Sequence, residues 1–303
     1  MAAVAVSMTG APLVSVIIPA YNAQPYIDQA LATVAAQTYR PLEVLVADDG
    51  STDGTARCVE RWRNAGLPVE WIEGRDRSGR PSVPRNRALR VARGELVAFL
   101  DADDLWTSRK IEDQVAAMQA HADLVLVYSM LRTFGATTIG APVFGLKPWP
   151  TRAALDRSTL EHANTIPCSS VLARRTVLMA LGGFDEDPQL QAVEDFDLWL
   201  RVSELGPIGF VPRVHGYYRV HASGISRNSD EQRRRAEYLV RKRGLNNFTF
   251  REFRRRHYLL TLVRNTLDIG MTLALYLREY LDRRRRVSVP LRTAVTYGLP
   301  AAR

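Results

Sequence analysis

Short apolar runs alternate with longer amphipathic stretches through the first two-thirds of the chain. Residues 13–18, 42–47 and 96–100 are compact and nearly continuous in apolar side chains, which predicts strands buried on both faces. Pro19-Ala20-Tyr21-Asn22 breaks the first run, and a helix opens near Pro25, with Ile27, Ala30, Leu31 and Val34 on its apolar face. The second run ends in Asp48-Asp49-Gly50-Ser51-Thr52-Asp53-Gly54, where Asp53 or Ser51 caps a helix carrying Ala56, Val59 and Trp62. A third strand near 69–72 and a helix over 84–93 lead into the run at 96–100. Strands alternating with amphipathic helices imply a mostly parallel sheet with right-handed crossovers.

Beyond it the pattern predicts a helix over 106–118 and a strand over 123–128. A Gly- and Pro-rich stretch, 135–150, reads as an extended loop that serves as a lid or faces an acceptor. A strand over 168–173 and a short helix over 175–181 follow, stopped by Gly182-Gly183-Phe184-Asp185. The next helix opens on Glu194 and Asp195, acids suited to the dipole of a first turn, and buries Phe196, Trp199 and Leu200. One or two strands over 211–220 end near His221. From 230 onward arginine triplets punctuate helix-like sequence. Leu260, Val263, Leu267, Met271, Ala274, Leu277 and Leu281 form an apolar stripe that needs a partner: the α/β domain, a second subunit or a bilayer surface. The expected division is a disordered tail over 1–12, an α/β domain over 13–228 and a basic helical extension over 229–303.

Charge narrows the partners. The formal charge of +9, from 41 basic and 32 acidic residues, favours anionic ligands such as nucleotide phosphates, an acidic membrane surface or nucleic acid. Cys58 and Cys168 lie far apart without metal-ligand spacing and read as reduced core thiols of a cytoplasmic protein. Residues 1–12 lack the basic and apolar regions of a signal peptide. The most apolar long segment, 258–280, is interrupted by Arg264, Asn265, Asp268 and Arg278, so no span is expected; a peripheral position at the cytoplasmic face of a membrane remains compatible.

The chemistry gathers where apolar runs end in acid. Asp101 and Asp103 follow a buried strand at its carboxyl end, where open α/β sheets bind ligands, and from extended backbone they point the same way. Two such carboxylates suit a hard divalent cation whose other positions go to water and phosphate. The alternative is a solvated loop or helix cap, and that reading fits Asp104. Asp48-Asp49 and Glu194-Asp195 supply two more acidic turns at the same sheet edge.

Pro19-Ala20-Tyr21-Asn22, Asp48-Asp49-Gly50-Ser51-Thr52-Asp53, Arg85-Asn86, Phe99-Leu100-Asp101-Ala102-Asp103-Asp104, Gly182-Gly183-Phe184-Asp185 and Glu194-Asp195-Phe196-Asp197-Leu198-Trp199 stand in the order seen in family 2 glycosyltransferases. The chain resembles that family over roughly 13–221. The resemblance implies a GT-A fold, a Rossmann-like mostly parallel sheet flanked by helices. It also implies inverting transfer of a sugar from a nucleoside-diphosphate sugar, UDP- or dTDP-linked, to a glycan or lipid-linked acceptor hydroxyl, as in cell-surface polysaccharide or glycolipid synthesis. By the same resemblance Pro19, Tyr21, Asn22 and Asp49 form the nucleoside site, with Asp49 bonded to the base and Tyr21 packed on it. Asp103 is the direct ligand of Mn²⁺ or Mg²⁺, Asp101 a partner to metal or ribose, and His221 a late metal or phosphate ligand. Arg85 meets the diphosphate or is simply exposed. Asp195 holds the place of the general base with Glu194 as neighbour, and Phe196 and Trp199 shield it and raise its pKa.

Two other readings compete. A haloacid-dehalogenase-type phosphatase shares the hydrophobic-strand Asp-x-Asp, but here two βα units precede it and no suitable lysine follows. A non-catalytic scaffold or nucleic-acid binder fits the basic tail, which lacks interleaved aromatics. A dinucleotide oxidoreductase is disfavoured because Gly-x-Gly-x-x-Gly is missing after the first strand.

Overall fold

The computed structural model describes residues 10–74, 76–135, 154–155, 160, 164, 166–221 and 229–245. The chain divides into two compact units, Met1–Arg243 and Gly244–Arg303. The loop predicted over 136–150 and the apolar stripe over 260–281 lie outside the described residues, as do residues 1–9 of the predicted tail.

The sheet grows around β1 (Val14–Ala20), which runs parallel to β2 (Leu42–Asp48) on one side and β4 (Leu96–Phe99) on the other; β3 (Val69–Ile72) extends β2 in parallel. Val14, Val16, Ile17 and Ile18 are fully buried, as continuous apolar runs flanked by helices require. The connecting helices are α1 (Ile27–Ala35), α2 (Thr55–Asn64) and α3 (Ser82–Val91). Ile27, Ala30, Leu31 and Val34 are the buried face of α1, at the spacing read from the sequence. Because Ala20 pairs with Asp48 and Ile17 with Phe99, the turns leaving β1, β2 and β4 emerge along one edge.

The other half of the sheet is mixed. After β5 (Leu105–Trp106) and α4 (Lys110–Ala120) come β6 (Leu126–Gly135), β7 (Ala154–Leu155), β8 (Leu172–Arg174), α5 (Arg175–Ala180), α6 (Glu194–Val202), β9 (Ile208–Val220) and α7 (Ser229–Lys242). Among the described residues the strand order is β3-β2-β1-β4-β8-β6-β9-β5, with β7 beside β9. β8 is antiparallel to both β4 and β6, whereas β6 and β9 are parallel.

Two sequence expectations shift. Trp106 does not open a helix; it sits in β5, paired antiparallel with β9 opposite Gly216, and α4 begins at Lys110. Its indole N–H donates to Ser169 O at 2.8 Å, which holds the ring in the core. A Cβ at Gly216 would lie 2.6 Å from Leu105 O, so glycine is what lets the two strands meet. The strand expected from Cys168 starts later, because Cys168–Ser170 is a 3₁₀ turn in which Ser170 N donates to Pro167 O at 2.9 Å. Cys58 and Cys168 are both free and buried.

α6 is anchored from two directions. Phe99 meets Phe184 edge-on at 5.1 Å between centroids, and Trp199 of α6 lies 6.2 Å from each. On the other side, α7 brings its cations to acids that precede or belong to α6. Arg243 reaches the fully buried Asp197 at 2.6 Å and Asp185 at 3.0 Å, while Lys242 lies 2.7 Å from Asp187 and 2.9 Å from Asp185. Arg201 supplies a second cation to Asp197 at 2.9 Å. Among the described residues no helix is long and apolar enough to cross a membrane.

Replacing Arg243 by Met should therefore lower the unfolding free energy by about 1–2 kcal/mol: the lost bonds are charge-assisted, Arg243 is partly solvated, and Arg201 stays on Asp197. Urea titration followed by tryptophan fluorescence measures it, and an unchanged midpoint would mean that α7 does not brace α6.

Candidate active site

The turns after β1 and β2 are zipped together. Asn22 takes a left-handed φ of 46°, which asparagine tolerates better than most residues. Its N–H donates to Ser51 Oγ at 2.9 Å and its Oδ1 accepts from Thr52 N at 2.8 Å. Asp48 closes its own turn by accepting from Gly50 N and Ser51 N, both at 3.0 Å. Asp53 accepts from Thr55 N at 2.9 Å and from Gln24 N at 3.1 Å, so it serves the start of α2 and the neighbouring turn together. Pro19 is the penultimate residue of β1 and is half-buried.

Asp49 is buried and holds a third turn: Ser78 N and Oγ donate to Oδ1 at 3.0 and 2.6 Å, and Gly79 N donates to Oδ2 at 2.9 Å. Beside it the Tyr21 ring is 39% exposed, with the Arg77 guanidinium 4.2 Å from its centroid. An aromatic face and an acid thus line the edge between β1 and β2. The turn at Gly79 is tied onward, since Gln191 Nε2 donates to Gly79 O at 2.6 Å.

The turn after β4 sends its acids three ways. Asp101 meets Arg85, whose Nη2 donates to it at 2.6 Å. Asp103 lies 2.8 Å from His221 Nε2. Asp104, expected in a solvated loop or cap, is instead buried, accepting from Ser169 Oγ at 2.6 Å and from Arg219 N at 2.9 Å. Burial, with Asp103 and Asp101 nearby, drives its carboxyl well above the usual range.

Arg85 is not exposed. It is 3% accessible on α3, and its Nη1 donates to Glu194 Oε1 at 2.8 Å while Nη2 holds Asp101. One guanidinium so joins the acidic turn of β4 to the first residue of α6. Asn86, the next residue, donates to Phe184 O and accepts from Phe184 N, both at 2.8 Å. A Cβ on Gly183 would come 2.4 Å from Asn86 Oδ1, and the φ of +77° there also favours glycine.

Asp195 is half-buried at the opening of α6. Its Oδ1 accepts from Asn164 Nδ2 at 3.1 Å and from Phe196 N at 2.7 Å. Burial first, then the charge of Glu194, pushes its carboxyl up to about 7, against the lowering effects of Arg85, Phe196 N–H and Asn164. A carboxylate that takes up a proton near neutrality suits general-base work.

A divalent cation fits this donor set. Among the described residues no group of three or more His, Cys, Asp or Glu is arranged to hold an ion, so Asp103 and His221 offer a two-donor site that needs ligand oxygens to complete it. Burial, then the charge of Asp101, pushes the Asp103 carboxyl up, a cost that a bound cation would remove.

The structure thus gathers Arg85, Asp101 and Glu194 in one contact and Asp103 with His221 in another. Sequence reasoning passed over Ser78, Asn164 and Ser169, single polar residues without a motif around them. Asp104 did carry a signal, as a second acid directly after Asp-x-Asp with an apolar Leu-Trp following.

Parallel strand ends bearing acidic turns along one edge are the ligand-binding arrangement of an open α/β sheet. The chain belongs to glycosyl transferase family 2, whose sequence model matches residues 15–182. It is similar to the UDP-Glc:alpha-D-GlcNAc-diphosphoundecaprenol beta-1,3-glucosyltransferase WfaP of Escherichia coli, with 30% identity over 236 residues, 77% of this chain and 87% of that protein. Among solved structures, TarS 1–349 of S. aureus in complex with UDP matches with a TM-score of 0.63 and 26% identity, covering 81% of this chain and 71% of that one. The mannosyltransferase PcManGT of Pyrobaculum calidifontis, in complex with GDP-Man and Mn²⁺, matches with a TM-score of 0.57 and 26% identity over 80% of this chain and 66% of that one. The protein is a glycosyltransferase of GT-A fold, and no finding supports the phosphatase or nucleic-acid-binding readings.

Because Asp195 accepts a proton only when ionised, kcat/KM should rise with pH through about 7. Asn164→Ala removes a hydrogen bond to the ionised form and should move that midpoint upward. Initial rates from pH 5.5 to 9 test both, and a flat profile would exclude Asp195 as the titrating group.

Proposed function

We propose that the protein transfers a sugar, with inversion and dependence on a divalent cation, from a UDP-linked donor to a hydroxyl of a lipid-linked glycan during cell-surface polysaccharide assembly. The observation that carries this reading is the Arg85 bridge, which sets the acidic turn of β4 and the Glu194–Asp195 pair against each other across one buried contact. The donor class is supported by the UDP-Glc in the name of WfaP and by the UDP complex of TarS, and the acceptor class by the diphosphoundecaprenol in the name of WfaP. Mn²⁺ is supported by the PcManGT complex and by the hard, two-donor site.

The residues divide the work. Tyr21 offers its exposed ring to the nucleobase, and Asp49 braces the neighbouring Ser78–Gly79 turn. Asp103 and His221 would hold the cation, which would supply positive charge against the departing diphosphate. Asp195 takes the proton from the acceptor hydroxyl as that oxygen attacks the anomeric carbon from the face opposite the diphosphate. The bond from anomeric carbon to diphosphate oxygen breaks with its electron pair leaving on the nucleoside diphosphate, and the configuration inverts. Both hydrogen bonds to Asp195 among the described residues fall on Oδ1, so Oδ2 is the oxygen that receives the proton. Arg85 acts on the carboxylates rather than on the diphosphate.

Calorimetric titration with UDP, with Mn²⁺ and with chelator, tests the cation: wild type should bind more tightly with Mn²⁺, and Asp103→Ala should lose that gain. Equal affinity in the two conditions would remove the cation from the mechanism. Asp195→Asn should cut turnover by about 10²- to 10⁴-fold while leaving UDP affinity nearly unchanged, since an amide keeps the shape but takes no proton. Turnover close to wild type in that variant would move the base to another carboxylate, and Glu194→Gln would then identify it.

A further inference from the structure

The carboxylate of Asp104 lies beyond the reach of solvent and between two segments that each carry one of the cation donors. It is 1% exposed, with Oδ2 accepting from Ser169 Oγ at 2.6 Å and Oδ1 accepting from Arg219 N at 2.9 Å. Ser169 Oγ in turn accepts from Asp101 N at 3.0 Å, so Asp104 also steadies the backbone of its own turn. Arg219 returns the contact, its Nε donating to Asp103 O at 2.7 Å. That guanidinium is itself held, 4.3 Å from the Phe134 centroid, 5.0 Å from that of Tyr26, and 2.8 Å from Gln29 Oε1.

The register explains why a side chain is needed. β5 and β9 pair antiparallel at Leu105↔Tyr217 and Trp106↔Gly216, and on the side of Arg219 the ladder ends at Leu105, where β5 begins. Two residues past Tyr217, beyond the end of that ladder, Arg219 N–H is taken up by Asp104, which supplies the acceptor from its side chain. His221 follows Arg219 by two residues, directly after the last residue of β9, and meets Asp103 at 2.8 Å. A slip of one residue would turn His221 away from Asp103. An apolar residue would suit this depth better than an acid beside two like charges, so burial alone does not account for Asp104.

We propose that Asp104 is a positioning residue of the cation site: it touches neither cation nor donor, and it sets the register in which Asp103 and His221 converge. This rests on the cation reading above. UDP is titrated with and without Mn²⁺ into the full chain as wild type, Asp104→Ala, Asp104→Asn and Ser169→Ala, with Asp103→Ala as the reference for full loss. The Mn²⁺-dependent gain in UDP affinity should fall by about 10- to 100-fold in Asp104→Ala, the range for residues that orient metal ligands. It should fall less in Asp104→Asn, which keeps an acceptor for Arg219 N–H, and affinity without metal should stay within about twofold in every variant, which a merely structural role would not predict. An unchanged gain in Asp104→Ala, or an equal loss with and without metal, would overturn the proposal. If Asp104→Ala does not fold, Asp104→Asn and Ser169→Ala decide by the same rule. A wild type without any Mn²⁺ gain would overturn the cation reading and this inference with it, whereas a wild-type gain preserved in the variants overturns this inference alone.

Discussion

Arg85 sits between two carboxylates that reach it from separate parts of the chain, Asp101 at the end of β4 and Glu194 at the start of α6. Burying a cation costs free energy unless its partners are well placed, and here the two carboxylates compensate it together. Removing Arg85 would leave the buried Glu194 without its cation and Asp101 without its partner, whereas removing either acid would leave a balanced pair. What depends on it is the relation between the two halves of the sheet's active edge. The β1-β2-β4 half is parallel and carries the proposed donor-side turns; α6 lies within the mixed half, before β9, and carries the proposed base.

The parallel half was legible because its signals are local. Continuous apolar runs, the spacing of Ile27, Ala30, Leu31 and Val34, and the acids at each strand end require no knowledge of distant contacts. Trp106 was misplaced because its periodicity fits a helix while its indole is claimed by Ser169, more than sixty residues away in sequence. Arg85 was left undecided for the same reason: a lone arginine reveals nothing of partners 16 and 109 positions away. The ordered motifs were enough to point to the family, and long-range pairing decided what each residue touches.

The basic character of the chain also changes meaning once contacts are known. The segment from 230 suggested attraction to an anionic surface, yet Arg235, Lys242 and Arg243 face acids and a carbonyl of the same unit. Charges already paired inside the unit contribute little to a distant field. A positive net charge is therefore a poor guide to how many cations remain for a membrane or a phosphate. Any such role for the extension falls to cations other than these three.

The adjacent acids of α6 show how one helix start gives two carboxylates different surroundings. Glu194 points to Arg85 and is held in an ion pair, so its carboxylate is engaged by that cation. Its negative charge still acts on Asp195 and, after burial, is the main reason that carboxyl titrates near neutrality. Arg85 opposes this shift, so the guanidinium both fixes Glu194 and limits how far Asp195 rises. Without Glu194 the neighbouring carboxyl would titrate lower; without Arg85 it would stay protonated to higher pH. The separation of roles follows from which of two neighbouring side chains reaches the buried cation, and a sequence in which both are acids does not reveal it.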